Sequence, residues 1–169
     1  NIIKLEKETI HINNLDFKIS PDEKDFFKNF DNLLEVSDIK FNSSAGYSIV
    51  FKKQNLRSEE YKIKIKKDFI LIEYSDYGGK FYSIITLIQL INFYNINLPL
   101  GLIEDRPALK WRGMHLDCAR QFYTIDEIKR LMNYMCFFKL NRFHWHLTDN
   151  EAWRVELECY PNLTKVGAF

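Results

Sequence analysis

The sequence predicts two folding units in series: an α+β layer with an antiparallel sheet over residues 1–104, then a parallel βαβ unit over residues 105–169. Three observations predict it. Tyr61-Lys62-Ile63-Lys64-Ile65-Lys66 alternates apolar and lysine side chains with a period of two, as a strand with one dry and one wet face does. Lys80 to Tyr94 has helical length and carries apolar residues in nearly every direction of the helical wheel. From Trp111 to Thr148, strand, helix and strand patterns follow one another within about 40 residues, the length of a βαβ unit.

In chain order, Leu15-Asp16-Phe17-Lys18-Ile19 alternates as a strand. Ser20-Pro21-Asp22-Glu23 opens a helix, with Ser20 as its N-cap, Pro21 in its first turn and Glu23 near the positive end of the dipole. Tyr47 to Phe51 alternates again. Tyr61–Lys66 and Phe69–Tyr74, separated by Lys67-Asp68, form an antiparallel hairpin. After Gly78-Gly79, a helix apolar all round must be covered on more than one side. The sheet covers one, and a second body beginning near Asp105-Arg106-Pro107 is expected to cover another. Trp111 to Cys118 reads as a buried strand. Thr124 to Phe138 reads as a helix whose capping box is Thr124 with Glu127. Its apolar stripe of Ile125, Ile128, Leu131, Met132, Met135 and Cys136 spans about 140° of arc at 3.6 residues per turn. Asn141 to Thr148 is the next strand. Such a unit implies a parallel sheet or barrel, and alone it leaves strand edges open, so the fold is expected to be cut short after Phe169.

At 46% hydrophobic and 15% aromatic, 169 residues suffice for a buried core. With 24 basic residues against 23 acidic and no basic stripe, nucleic acid has no electrostatic support as a partner. Cys118, Cys136 and Cys159 are odd in number and lack metal-like spacing, so no disulfide framework is expected. The longest apolar stretch, Ile84 to Ile91, is interrupted by Thr86 and Gln89, far short of the roughly 18 residues a membrane span needs.

The chemistry concentrates at the strand ends. In parallel α/β folds, active sites gather at the carboxyl ends of strands. His144-Trp145-His146-Leu147-Thr148-Asp149 closes the second parallel strand, with His144 and His146 on one face. On the first strand His115 and Asp117 share a face, and Arg120 lies just beyond its end. Three readings are open. His144-x-His146 offers two metal ligands, but two do not make a site without further His, Asp or Glu, so no metal and no cofactor are expected. The histidines can instead be core residues satisfied by carboxylates such as Asp117. Or Arg120 and Asp149 hydrogen-bond a polar ligand such as a sugar, the arginine as a rigid fork of donors and the aspartate as acceptor. By position alone, that reading stands level with a structural salt bridge.

Arg112-Gly113-Met114-His115-Leu116-Asp117-Cys118-Ala119-Arg120 and Asn141-Arg142-Phe143-His144-Trp145-His146-Leu147-Thr148-Asp149 strongly resemble the family-twenty glycoside hydrolases, the β-N-acetylhexosaminidases. Trp153-Arg154 and Tyr160-Pro161-Asn162-Leu163-Thr164-Lys165-Val166-Gly167-Ala168 continue the resemblance in order. Glu59-Glu60-Tyr61-Lys62-Ile63, Gly79-Lys80-Phe81-Tyr82 and Leu87-Ile88-Gln89-Leu90 resemble the family's accessory α+β domain; little before Ser44 does.

The resemblance implies an accessory domain followed by the beginning of a (β/α)8 barrel, in an enzyme that releases terminal β-linked N-acetylglucosamine or N-acetylgalactosamine from glycans. It implies retaining, substrate-assisted catalysis, in which an Asp orients the substrate's acetamide and a Glu protonates the leaving oxygen. Arg120 matches the arginine that grips hydroxyls of the terminal sugar, Asp149 matches the acidic residue after the His-Trp-His strand, and His146 supports that rim. Family habit places the parent enzyme outside the cell or in the periplasm. The chain departs from the family at Ala119-Arg120-Gln121, often Ser-Arg-His, and at Asp149-Asn150-Glu151, often Asp-Asp-Gln. The catalytic Asp-Glu pair belongs to a later strand and is not expected within this chain. Asp126-Glu127 lies in a helix's first turn and Glu104-Asp105 in the connection between units, so the chain alone is expected to be inactive. The alternative is a non-catalytic carbohydrate-binding or scaffold module.

Overall fold

The computed structural model describes residues 1–12, 15–34, 39–42, 46–95 and 97–168, so Phe169 lies outside the described residues. It divides into two units, Asn1–Ala108 and Leu109–Phe169.

Among the described residues, the first unit holds a seven-stranded sheet of β1 (Ile2–His11), β2 (Asp16–Lys18), β3 (Lys40–Asn42), β4 (Tyr47–Lys53), β5 (Tyr61–Ile65), β6 (Phe69–Tyr74) and β7 (Asn97–Asp105), in spatial order β1-β7-β5-β6-β4-β2-β3. The sheet is mixed, which corrects the expected antiparallel one. Pairs β1–β7, β5–β7 and β5–β6 are antiparallel, whereas β4–β6, β2–β4 and β2–β3 are parallel. The reason is topological. The hairpin β5–β6 lays β6 rather than β5 beside β4, and the helical run after β2 carries the chain over before β3.

The alternation of β5 works as its sequence requires. Tyr61, Ile63 and Ile65 are buried, while Lys62 and Lys64 reach across the other face to Glu104 at 3.0 Å and Glu73 at 2.7 Å. Each fully buried Ile contributes about 1.5–3 kcal/mol, more than such surface ion pairs do, so the dry face sets the register. The Tyr61 hydroxyl lies 2.6 Å from both Thr86 Oγ1 and Asp105 Oδ2, and burial first, then the Asp105 contact, raises its pKa.

The helix predicted from Lys80 runs as α3, Tyr77–Tyr94. Asp76 caps it, accepting the Gly79 N–H at 2.9 Å. Its buried residues, including Tyr82, Ile84, Ile85, Leu87, Ile88 and Ile91, point all round the wheel. The helix packs on β5, β6 and β7. The sequence missed a second cover inside the same unit, where Phe30 stacks on Phe81 with ring centroids 4.9 Å apart.

Phe30 belongs to a broken helical run, not the single helix expected after Ser20. A 3-10 turn over Pro21–Glu23, α1 (Lys24–Phe27), a second 3-10 turn over Lys28–Phe30 and α2 (Asp31–Leu34) succeed one another. Ser20 occupies the N-cap place but makes no side-chain cap bond, because its hydroxyl turns to Asp22 Oδ1. Glu23 forms an ion pair with Lys80 of α3. The Lys80 ammonium also lies over the rings of Phe26 at 4.3 Å and Phe51 at 4.7 Å, which ties this run to α3 and the sheet.

In the second unit β8 (Gly113–Asp117), α4 (Ile125–Phe137) and β9 (Arg142–His146) make the predicted parallel βαβ, followed by α5 (Asn162–Lys165). The first strand is not the buried one expected, since Trp111, Gly113, Met114 and His115 are exposed where β9 is its one strand neighbour among the described residues. The capping box forms, with the Thr124 N–H donating to Glu127 Oε2 at 2.7 Å and the Glu127 N–H donating to Thr124 Oγ1 at 3.3 Å. Of the apolar stripe on α4, Ile128 and Met135 are buried, whereas Ile125 and Met132 are exposed. A two-stranded sheet is narrower than that stripe. The helix ends in a Schellman turn: Leu140 N–H donates to Met135 O at 2.8 Å and Lys139 N–H to Cys136 O at 3.0 Å, with Lys139 at φ 57. Arg112 clamps this turn to the start of β8, donating from Nε to Lys139 O and from Nη1 to Leu109 O, both at 2.7 Å.

Candidate functional site

Parallel pairing of β8 with β9 matches His115 to His144 and Asp117 to His146. The residues predicted to carry chemistry therefore meet at one end and on one face of a two-stranded sheet. Alternation alone put each pair on a face; only the register puts the two pairs on the same one.

Beyond Asp117 the chain turns through Cys118, Ala119 and Arg120. Asp117 Oδ1 accepts the backbone N–H groups of Ala119 at 2.9 Å and Arg120 at 3.1 Å, so the aspartate shapes the turn that presents Arg120. The Arg120 N–H first, and that of Ala119 with it, holds the Asp117 carboxyl below the usual carboxylate range. Asp117 Oδ1 is thus hydrogen-bonded within its own turn, and His146, opposite it in the register, acts on the carboxylate through charge. Arg120 is exposed, and its Nη1 lies 3.3 Å from Glu151 Oε1.

Beyond His146 the chain makes a tight return. Thr148 bridges Trp153, the Asp149 N–H donates to Ala152 O at 2.9 Å, and the Arg154 N–H donates to Leu147 O at 3.0 Å. Asp149 Oδ2 sits 3.0 Å from His146 Nε2, and Oδ1 accepts the Asn150 N–H at 2.7 Å. The Asn150 N–H first, then His146, keeps Asp149 below the usual carboxylate range. It is therefore an ionised acceptor near neutral pH. Arg120 and Asp149 stand on one rim but take different partners, Glu151 and His146, rather than forming a salt bridge with each other.

Two residues that the sequence reading named only within the resembling motifs, with no role at the site, build this rim. Arg154 donates from Nε to Cys118 O at 3.0 Å and from Nη1 to Ala168 O, joining the exit of β8 to the chain's later turn. Glu151 supplies the partner of Arg120. Neither had a local signal, since each acts across a gap that only folding closes. The three cysteines are free thiols, with the Cys118 sulfur accepting from Trp145 Nε1 at 3.2 Å.

Asp126-Glu127 opens α4, as expected, whereas Glu104-Asp105 is not in the connection between units but ends β7, where it pairs with β5 in the first unit's sheet and is no part of the β8–β9 rim. Glu127 is spent on its capping box, where the Thr124 N–H holds its carboxyl below the usual range, the reverse of what a general acid needs. Glu104 and Asp105 lie on β7 and contact Lys62 and Tyr61.

Residues 7–106 match Glycosyl hydrolase family 20, domain 2, and residues 109–169 match Glycosyl hydrolase family 20, catalytic domain. The chain is 41% identical over 111 residues to a beta-hexosaminidase of Vibrio furnissii, covering 64% of this chain and 18% of that protein. It is 39% identical over 113 residues to an N,N'-diacetylchitobiase of Vibrio harveyi, covering 66% of this chain and 13% of that protein. Among solved structures, the exo beta-N-acetylglucosaminidase of Vibrio harveyi in complex with N-acetylglucosamine superposes with a TM-score of 0.83 at 32% identity. That alignment covers 97% of this chain and 27% of the other. The beta-N-acetylhexosaminidase of Bacteroides fragilis gives a TM-score of 0.81 at 29% identity, over 98% of this chain and 36% of the other.

Proposed function

The chain belongs to glycoside hydrolase family 20, and from that premise we propose that it supplies the accessory domain and the first sugar-gripping rim of a β-N-acetylhexosaminidase. The observation that carries the reading is the pair Arg120 and Asp149, each just past the end of one of two adjacent parallel strands. One donates, the other accepts, and a hexose presents hydroxyls that do both. The reaction is removal of a terminal β-linked N-acetylglucosamine or N-acetylgalactosamine, and the relatives' names, beta-hexosaminidase and N,N'-diacetylchitobiase, support that substrate class. The βαβ unit is the opening of a (β/α)8 barrel, and residues 1–104 and 105–169 are its accessory and catalytic parts. The parent acts outside the cell or in the periplasm.

In this proposal Arg120 fixes the terminal sugar by its hydroxyls, and Asp149, oriented by His146, stays ionised beside the reacting centre. The acetamide-orienting Asp and the protonating Glu come from a later strand, so catalysis is substrate-assisted and retaining in the longer enzyme, and this chain alone is inactive. Hydrolysis of an aryl N-acetyl-β-glucosaminide tests it, comparing this chain with a form extended through the rest of the barrel. Cleavage by the extended form alone is the expected result. Cleavage by the chain itself means an acid within it, and cleavage by neither favours a carbohydrate-binding or scaffold module.

A further inference from the structure

We propose that His115, His144 and His146 form a binding site for one divalent transition-metal ion of the zinc class, on the face that β8 and β9 share. The sequence showed only His144-x-His146, one ligand short of a site. Strand pairing supplies the third imidazole, because His115 lies opposite His144 in the parallel register. Three of the chain's four histidines thus meet on one face. A ring nitrogen from each lies within 4.8 Å of the others. The ring centroids are 4.6 Å apart for His115 and His144, 5.9 Å for His115 and His146, and 6.5 Å for His144 and His146.

Zinc held at about 2.0–2.1 Å by imidazole nitrogens in tetrahedral array places those nitrogens about 3.4 Å apart. The rings therefore need to draw in by little more than about 1 Å in tetrahedral geometry. His115 and His144 are exposed and His146 half-buried, so side-chain rotation suffices without moving the strands. Three imidazoles suit Zn²⁺, Co²⁺, Ni²⁺ and Cu²⁺ and disfavour Mg²⁺ and Ca²⁺, which want oxygen. Asp149 provides the outer partner such sites use: Nε2–H of His146 donated to that carboxylate leaves Nδ1 bare for the ion and fixes the ring. Three protein ligands leave the fourth position to water.

The test uses the untagged chain, stripped with a chelator and titrated with Co²⁺ and Zn²⁺. One equivalent is expected to bind, with visible cobalt bands of a nitrogen-ligated ion and no thiolate-to-cobalt charge-transfer band. His115→Ala and His144→Ala should each weaken binding by at least about tenfold, whereas His11→Ala should leave it unchanged. Because a variant can misfold, histidine modification by diethyl pyrocarbonate in the wild-type chain provides a second reading. Zn²⁺ should shield His115, His144 and His146 and leave His11 reactive. A thiolate band, equal loss in His11→Ala, no binding, or no shielding of the three overturns the site.

Discussion

Asp149 Oδ2 lies 3.0 Å from His146 Nε2, so the acid just past β9 is oriented by a residue of the strand it follows. They stand three positions apart in the chain, and the tight return through Ala152 brings the carboxylate back over its own strand. The geometry makes Asp149 a fixed acceptor, while Arg120 on the neighbouring turn is an exposed donor beside the half-buried Asp117 and the exposed Glu151.

In the extended, active enzyme, Arg120→Ala and Asp149→Ala are each expected to lower kcat/KM by about tenfold or more, the usual effect of losing a hydrogen bond that involves a charged group. Glu151→Gln should stay within about threefold, because an exposed ion pair contributes little. Steady-state kinetics on an aryl N-acetyl-β-glucosaminide decide it. Equal losses in all three variants would mean that the Arg120–Glu151 pair is structural rather than a hand-off to substrate.

Asp76 should make the first unit's stability depend on acid. Burial raises its pKa, but the N–H groups of Gly79 and Glu59 and the Ser58 hydroxyl outweigh that, leaving it below its ordinary value. A lowered folded-state pKa means stability that is present above the unfolded value of about 3.9 and lost as pH falls through the folded one. Asp76→Ala should therefore cost about 1 kcal/mol at pH 7. Urea midpoints at pH 7 and pH 3 should show the gap between variant and wild type closing at the lower pH.

Gly101→Ala should disrupt the edge of the sheet. Gly101 has φ +144, and a Cβ there would sit 2.2 Å from the Lys4 carbonyl oxygen, where the pairing of β1 with β7 shifts register. A cost of about 2 kcal/mol or more is expected, read from the urea midpoint. Faster amide exchange confined to β1 and β7 would locate the damage. An unchanged midpoint would mean that β1 contributes nothing to this unit's stability.

Lys139 holds the left-handed position of the Schellman turn, φ 57, where glycine is common. Lys139→Val should destabilise the second unit by about 1–2 kcal/mol, since a β-branched residue resists that backbone conformation. Lys139→Gly should be neutral or stabilising, because relief of side-chain strain offsets the greater freedom of the unfolded chain. Thermal unfolding of the two variants side by side checks the order. Valine no worse than glycine would sink this account of the turn.

The sequence by itself determined the elements whose signals are local. The alternation of Tyr61–Lys66, the helix read over Lys80–Tyr94, the Thr124–Glu127 capping box and the strand read over Asn141–Thr148 all follow from periodicity or from contacts within a few residues. The structure moves only their ends, to Tyr77 for the helix and to His146 for the strand. The motif residues from Arg112 to Asp149 identified the family for the same reason, because they are contiguous. What required the tertiary structure was pairing. Pro99 and Gly101 disguised β7, and the charge-rich edge strand β1 shows little apolar alternation, so neither was legible until each lay against a neighbour. Parallel or antiparallel placement of β4 against β6 depends on which strand the chain lays beside which, a choice no local pattern encodes. At the rim, Arg120 and Asp149 were visible as types at strand ends. The partners Glu151 and Arg154, and the meeting of His115 with His144, exist only through contacts between residues distant in sequence, and the free energy that forms them comes from burying the whole.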